Sequence, residues 1–71
     1  MNKDELVKLQ KYLRKTFGNA SVEVRPQPKK KDMAEVFIAG EFVATMYKVV
    51  EDGEVEYQVQ MCVLEMDLEE A

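Results

Sequence analysis

Histidine is absent from this chain, which removes the commonest general base and the commonest metal ligand. Cysteine occurs once, at Cys62, so a monomer holds no disulfide, and so thiol-poor a chain fits a reducing compartment. Glycine is scarce: Gly18, Gly40 and Gly53 stand alone, and none belongs to a loop that could cradle a phosphate. No apolar stretch approaches the roughly 20 residues of a membrane span. The opening Met1-Asn2-Lys3-Asp4-Glu5 is charged where a signal peptide would be apolar, so a cytoplasmic protein is expected. Seventy-one residues make a single domain, 1–71, near the lower limit for independent folding. Domains of that size often gain stability from a partner subunit.

What is abundant is charge, and it is segregated. Residues 1–31 carry nine Lys/Arg against three Asp/Glu, a net +6; residues 32–71 carry one Lys against eleven Asp/Glu, a net −10. The total of −4 argues against a general nucleic-acid binder and leaves room for a local basic patch.

Asn2 and Glu5 have the spacing of a capping box, and Leu6, Leu9, Leu13 and Phe17 form one apolar stripe behind it. Gly18 supplies a left-handed helix stop. A helix over about 3–17 follows. Val22 and Val24 alternate in a strand over about 20–25 that Pro26 and Pro28 terminate. Strands over about 34–38, 42–50 and 55–66 come next, joined by turns at Ala39-Gly40 and Asp52-Gly53; Asp-Gly suits a type I′ turn. The fold class is α+β: an N-terminal helix packed on one face of a four-stranded antiparallel β-meander.

The Asp52-Gly53 turn sets a register in which Val50 faces Val55, Lys48 faces Tyr57, Met46 faces Val59, Ala44 faces Met61 and Phe42 faces Val63. This nearly continuous apolar face is assigned to the helix. A two-residue turn at Ala39-Gly40 puts Val36 beside Val43, so Val36, Ile38, Val43, Tyr47 and Val49 share the opposite face. That face is too apolar for a solvated sheet surface, and these five residues form a candidate interface. Beyond Val63 the alternation changes parity, which a bulge, a strand end or a short C-terminal helical turn would each explain.

Few residues have the means for chemistry. Ser21 and Cys62 lack a base, and mid-strand Cys62 reads as a small buried or half-buried thiol rather than an activated one. The Glu51-Asp52-Gly53-Glu54-Glu56 cluster is a solvated turn, since a tight hairpin cannot wrap six or more oxygens around calcium. No metal, cofactor or catalytic residue is therefore expected, and the chain does not read as an enzyme. Lys8, Lys11, Arg14 and Lys15 on the outer helix face, with Lys29, Lys30 and Lys31, form a candidate basic patch able to neutralise phosphates.

Leu9-Gln10-Lys11-Tyr12-Leu13-Arg14-Lys15-Thr16-Phe17-Gly18-Asn19, Val24-Arg25-Pro26 with the lysine run, Ala34-Glu35-Val36-Phe37-Ile38, Gly40-Glu41-Phe42, the Glu-Asp-Gly-Glu turn and Met61 to Leu68 together resemble a short alphaproteobacterial protein family classed as a domain of unknown function. The resemblance spans nearly the whole chain and departs at Ala39-Gly40, where the family pattern has glycine followed by an acid. It implies a cytoplasmic bacterial domain and supplies no activity and no site residues. The function expected is a non-enzymatic protein-interaction module, self-associating as a homodimer through the second sheet face or an edge strand. The alternative is an RNA- or DNA-binding module using the basic helix face and the lysine loop.

Overall fold

The computed structural model describes residues 1–70. Helix α1 (Lys3–Phe17) is followed by strands β1 (Val22–Pro26), β2 (Met33–Ile38), β3 (Glu41–Glu51) and β4 (Glu54–Gln60), then a short helix α2 (Glu65–Glu70). The strands form one antiparallel meander in the order β1-β2-β3-β4. This is the α+β arrangement that the periodicities predict. Among the described residues no helix is long and apolar enough to cross a membrane.

Local chemistry explains the boundaries. The Asn2 side chain accepts from the Glu5 N–H (2.8 Å) and the Glu5 carboxylate accepts from the Asn2 N–H (3.1 Å). That reciprocal box starts α1, and Gly18 at φ 62° stops it. Both hairpins close on two residues with positive φ, Ala39 (53°) with Gly40 (82°) and Asp52 (52°) with Gly53 (79°). These are type I′ geometries, whose twist matches the flanking strands.

The core is small: Leu13 from α1 sits on Val22, Val24, Ala34, Val36, Ala44 and Met46. Ala34 and Ala44 lie across from Met46 and Val36 respectively, so two small residues and two larger ones interlock beneath the helix. Leu6 and Leu9 are partly buried against this cluster. Phe17, the last member of the predicted stripe, is 60% exposed, because the helix runs out past the core before it reaches that turn. Replacing Phe17 with alanine is accordingly expected to change stability by no more than about 0.5 kcal/mol in a denaturant titration.

Two expectations need correction. A bulge between the Val36 and Phe37 pairings places Val36 opposite Ala44, not Val43, and Phe37 opposite Phe42. The extra residue, Val43, turns towards the core, as does Ile38. Val36 is itself buried in the core. Three of the five residues assigned to a second-face interface (Val36, Ile38 and Val43) are therefore core-side residues, and only Tyr47 and Val49 remain on the back of the sheet. Phe42 moves the other way, onto the back face, where its ring meets Phe37 edge-on at 5.7 Å. The Arg25 guanidinium lies over the other ring, 4.0 Å from the Phe37 centroid. The back face is thus partly filled by its own aromatic and cationic groups.

The second correction concerns the C-terminus. β4 ends at Gln60, so Phe42–Val63 and Ala44–Met61 never pair, and the helical turn is the version of this segment that forms. Cys62 is exposed rather than buried because no strand holds it.

Candidate functional site

Helix α1 is narrower than the sheet it covers, and the placement of its polar side chains decides which part it leaves bare. Gln10 accepts from the Val24 N–H through Oε1 (3.0 Å), and Arg14 donates from Nε to the Val22 carbonyl (2.7 Å). Both backbone groups point away from β2. Two helix side chains thus satisfy the outer edge of β1, and an edge so covered cannot template another strand. Hydropathy patterning carries no signal for this, because Arg14 reads there as an ordinary outer-face residue and Gln10 as no more than a polar one.

At the other side of the sheet β4 has no such cover. The closing pair Glu51↔Glu54 of the hairpin exchanges backbone bonds, as does every second pair after it: Val49↔Glu56, Tyr47↔Gln58 and Thr45↔Gln60. The N–H and C=O groups of Val55, Tyr57 and Val59 consequently point outward. Their side chains lie on the helix side, where Tyr57 reaches Glu5 of α1 while Val55 and Val59 lie beyond the helix and are exposed. Val50 is 62% exposed, Val55 50% and Val59 44%. Between α1 and β4 runs a groove of about 610 Å³, floored by Met46, Val55, Tyr57 and Val59 and walled by Leu9, Tyr12 and Lys8. Part of the uncovered apolar surface sits here, on the half of the helix-side face assigned above to α1; the back of the sheet keeps exposed Phe42.

One charged cluster ties the helix across this groove. Glu5 Oε2 accepts from the Tyr57 hydroxyl at 2.6 Å and from the Lys48 ammonium at 2.7 Å. Those hydrogen bonds, from Lys48 first, then Tyr57 and the Asn2 N–H, lower the Glu5 carboxyl from 4.5 to about 2. Lys48 and Tyr57 are both raised, each mainly by its hydrogen bond to Glu5. The sign follows for stability. A carboxylate with a depressed folded value contributes fully above about pH 4.5, and the contribution is lost as pH falls towards 2. At the alkaline end, ionisation of Tyr57 and loss of the Lys48 proton remove the same links. Thermal melts of the native chain are expected to lose stability between about pH 4.5 and 2, and Glu5→Gln is expected to flatten that limb. An unchanged acid limb in Glu5→Gln would show that the cluster carries none of it.

The remaining sequence candidates are dispersed. Lys8, Lys11 and Lys15 are exposed on α1, but Arg14 is committed to Val22. The lysine loop lies at the start of α1, where the Met1 amine donates to the Lys31 carbonyl. Arg14 and Lys15 are near its end, roughly 20 Å along the axis. Structure does not gather the basic patch into one surface. Among the described residues no group of three or more His, Cys, Asp or Glu side chains could hold a metal ion, and no buried side-chain polar atom lacks a partner.

The remaining feature is the segment after Gln60. Every residue from Met61 to Glu70 is exposed, including Met61, Val63, Leu64, Met66 and Leu68. Helix α2 packs on no other element to a substantial degree.

Fold and surface together define a small α+β domain with one sealed sheet edge, one open edge and an unpacked C-terminal arm. The chain belongs to the family described as Protein of unknown function (DUF3126), whose model matches residues 5–67. No curated protein and no solved structure matches it.

Proposed function

We propose that this chain is a non-enzymatic, cytoplasmic interaction module that works as a homodimer, joined through the β4 edge and the groove beside it. The observation that carries this reading is the asymmetry of the two edges: side chains of α1 satisfy the outer groups of β1, while Val55, Tyr57 and Val59 leave theirs open above exposed apolar side chains. A free edge over an apolar face is the surface on which strand addition occurs.

Two copies of β4 meeting antiparallel about Tyr57 would set Val55 of each against Val59 of the other. The two meanders would merge into one eight-stranded sheet with a self-complementary contact. Glu54, Glu56, Gln58 and Gln60 would line the solvated back of the joint, and the valines would meet below the two helices. The back-face aromatic cluster plays no part in this contact.

Sedimentation equilibrium over a hundredfold concentration range tests the proposal. A reversible monomer–dimer equilibrium is expected, persisting at high salt because the contact is chiefly apolar and main-chain. A monomer at every concentration removes the homodimer. A dimer that Tyr47→Glu disrupts would move the interface to the back of the sheet.

A further inference from the structure

We infer that the C-terminal arm, Met61 to Glu70, is a latch on its own copy: it folds back over the groove between α1 and β4, where its acids meet the lysines of α1, and it must leave before a second copy can bind there. The release step rests on the dimer proposed above; the folded-back arm does not.

The first support is charge. Residues 61–70 hold four acids, Glu65, Asp67, Glu69 and Glu70, and no base. Lys8, Tyr12 and Lys15 stand at i, i+4 and i+7 on α1 and so form one ridge, with Lys11 beside it. Lys8 and Tyr12 wall the groove. All three lysines are exposed, and the ion pairs among the described residues, Arg25–Glu23 and Lys48–Glu5, involve none of them. The acids of the groove itself lie towards its hairpin end: Glu5 is held by Lys48 and Tyr57, and Glu56 accepts from the Gln58 amide. Asp4 is a turn before Lys8, in the same direction. An acidic segment is therefore drawn to the end walled by Tyr12 and floored by Val59, away from Glu51, Asp52 and Glu54.

The second support is reach. Strand β4 ends at Gln60, one residue past Val59, so the arm starts at the end of the groove that the lysines flank. Met61 to Leu64 have no regular structure, and four residues suffice to reverse a chain. Helix α2, about 9 Å long, then runs back within the roughly 13 Å that separate Val59 from Val55.

The third is shape. Leu64 and Leu68 fall on one face, a turn apart, with acids to either side and Met66 behind. Asp67 fixes that turn: its carboxylate accepts from the Leu64 N–H at 3.2 Å, and its own N–H donates to the Leu64 carbonyl at 3.0 Å. An apolar pair framed by acids complements an apolar floor framed by lysines, which is how an amphipathic helix is recognised in a groove.

A nitroxide on α2 reads the latch. Cys62→Ser with Met66→Cys leaves a single thiol, on the side of α2 away from Leu64 and Leu68. The amide signals of α1 are then followed at a concentration where the chain is monomeric. Broadening at Lys8 and Tyr12 is expected at low salt. Either about 1 M salt or Lys8→Glu with Lys11→Glu and Lys15→Glu should abolish it. Signals that stay equal across the three conditions overturn the inference. So does broadening that passes only from a nitroxide-bearing chain to a separate isotope-labelled one, since the arm then lies on another copy. Sedimentation of the Leu64→Ser, Leu68→Ser chain, with its charges intact, reads the release. Its dimer should be about tenfold tighter than the native one, whereas unchanged or weaker dimerisation overturns the competition between arm and second copy. A chain that shows the broadening and stays monomeric at every concentration, released or not, overturns the homodimer and leaves the folded-back arm standing.

Discussion

Met46→Ala is expected to lower the unfolding free energy by about 3 kcal/mol, the largest loss from any single truncation in this domain. Met46 is 1% exposed and among the largest fully buried side chains. It lies opposite Ala34 on one neighbouring strand and Val59 on the other. Ala34 cannot expand into the space that Met46 would vacate, and Leu13 is held above it by the helix. The cavity would therefore persist and add its own cost to the lost transfer energy. For 71 residues the total stability is roughly 4–10 kcal/mol, so the variant sits near the threshold of folding. At about 4–8 °C per kcal/mol for a domain of this size, its melting temperature should fall by roughly 12–24 °C. A loss below about 1 kcal/mol in a denaturant titration would mean that the core repacks around the gap, contrary to the tight Ala–Met interlock.

Met46 also illustrates how much of the fold local sequence signals specify. Its assignment to the helix side came from the Asp52-Gly53 turn, which sets the β3–β4 register without ambiguity, and the pairs Val50↔Val55, Lys48↔Tyr57 and Met46↔Val59 all form. Local signals of this kind are strong because they need only a few neighbouring residues: the Asn2–Glu5 box, the Gly18 stop, the two type I′ turns. The register of β2 departs from the expected one for the complementary reason. A turn at Ala39-Gly40 sets only the first pairs after it, and the bulge that follows shifts the rest by one residue. A shift of one residue reverses the face of every side chain beyond it, which is why Val36 and Ile38 changed sides with Val43. Nothing local to Val36-Phe37 announces a bulge. It is favoured by the burial of Val36 over Ala44, a long-range term.

Site legibility failed in a different way. The sequence suggests more apolar surface than one helix can cover and assigns it to the back of the sheet, whereas exposed Val50, Val55 and Val59 lie on the helix side. A helix does not own the whole face it sits on. In the molecule α1 is drawn towards β1 by the hydrogen bonds of Gln10 and Arg14, polar residues whose alternation gives no hint of a tertiary role. Coverage of β1 and exposure of β4 are two consequences of that one displacement. Tyr57 and Glu5 then hold the helix at its present distance from β4, keeping the groove open where closer approach would close it.

The second large effect follows from that open edge. Val59→Pro is expected to weaken the dimer by at least about tenfold while leaving the monomer nearly as stable as before. In the β3–β4 ladder the Val59 N–H faces away from β3, so the hairpin loses no hydrogen bond when proline removes it, and an edge strand tolerates proline on its outward side. Between two copies the same N–H would donate to Val55 of the other chain, and by symmetry each substitution removes two such bonds and introduces two rings at the joint. Gln58→Pro supplies the contrast. Its N–H bonds inward to Tyr47 in the ladder, so that substitution should cost the monomer about 2 kcal/mol through an orphaned carbonyl. The decisive comparison is sedimentation and thermal melting of the two variants side by side. A Val59→Pro chain that still dimerises with native affinity eliminates the β4 edge as the contact. A Val59→Pro chain that sediments as a folded monomer establishes that main-chain pairing, rather than side-chain stickiness alone, joins the two copies.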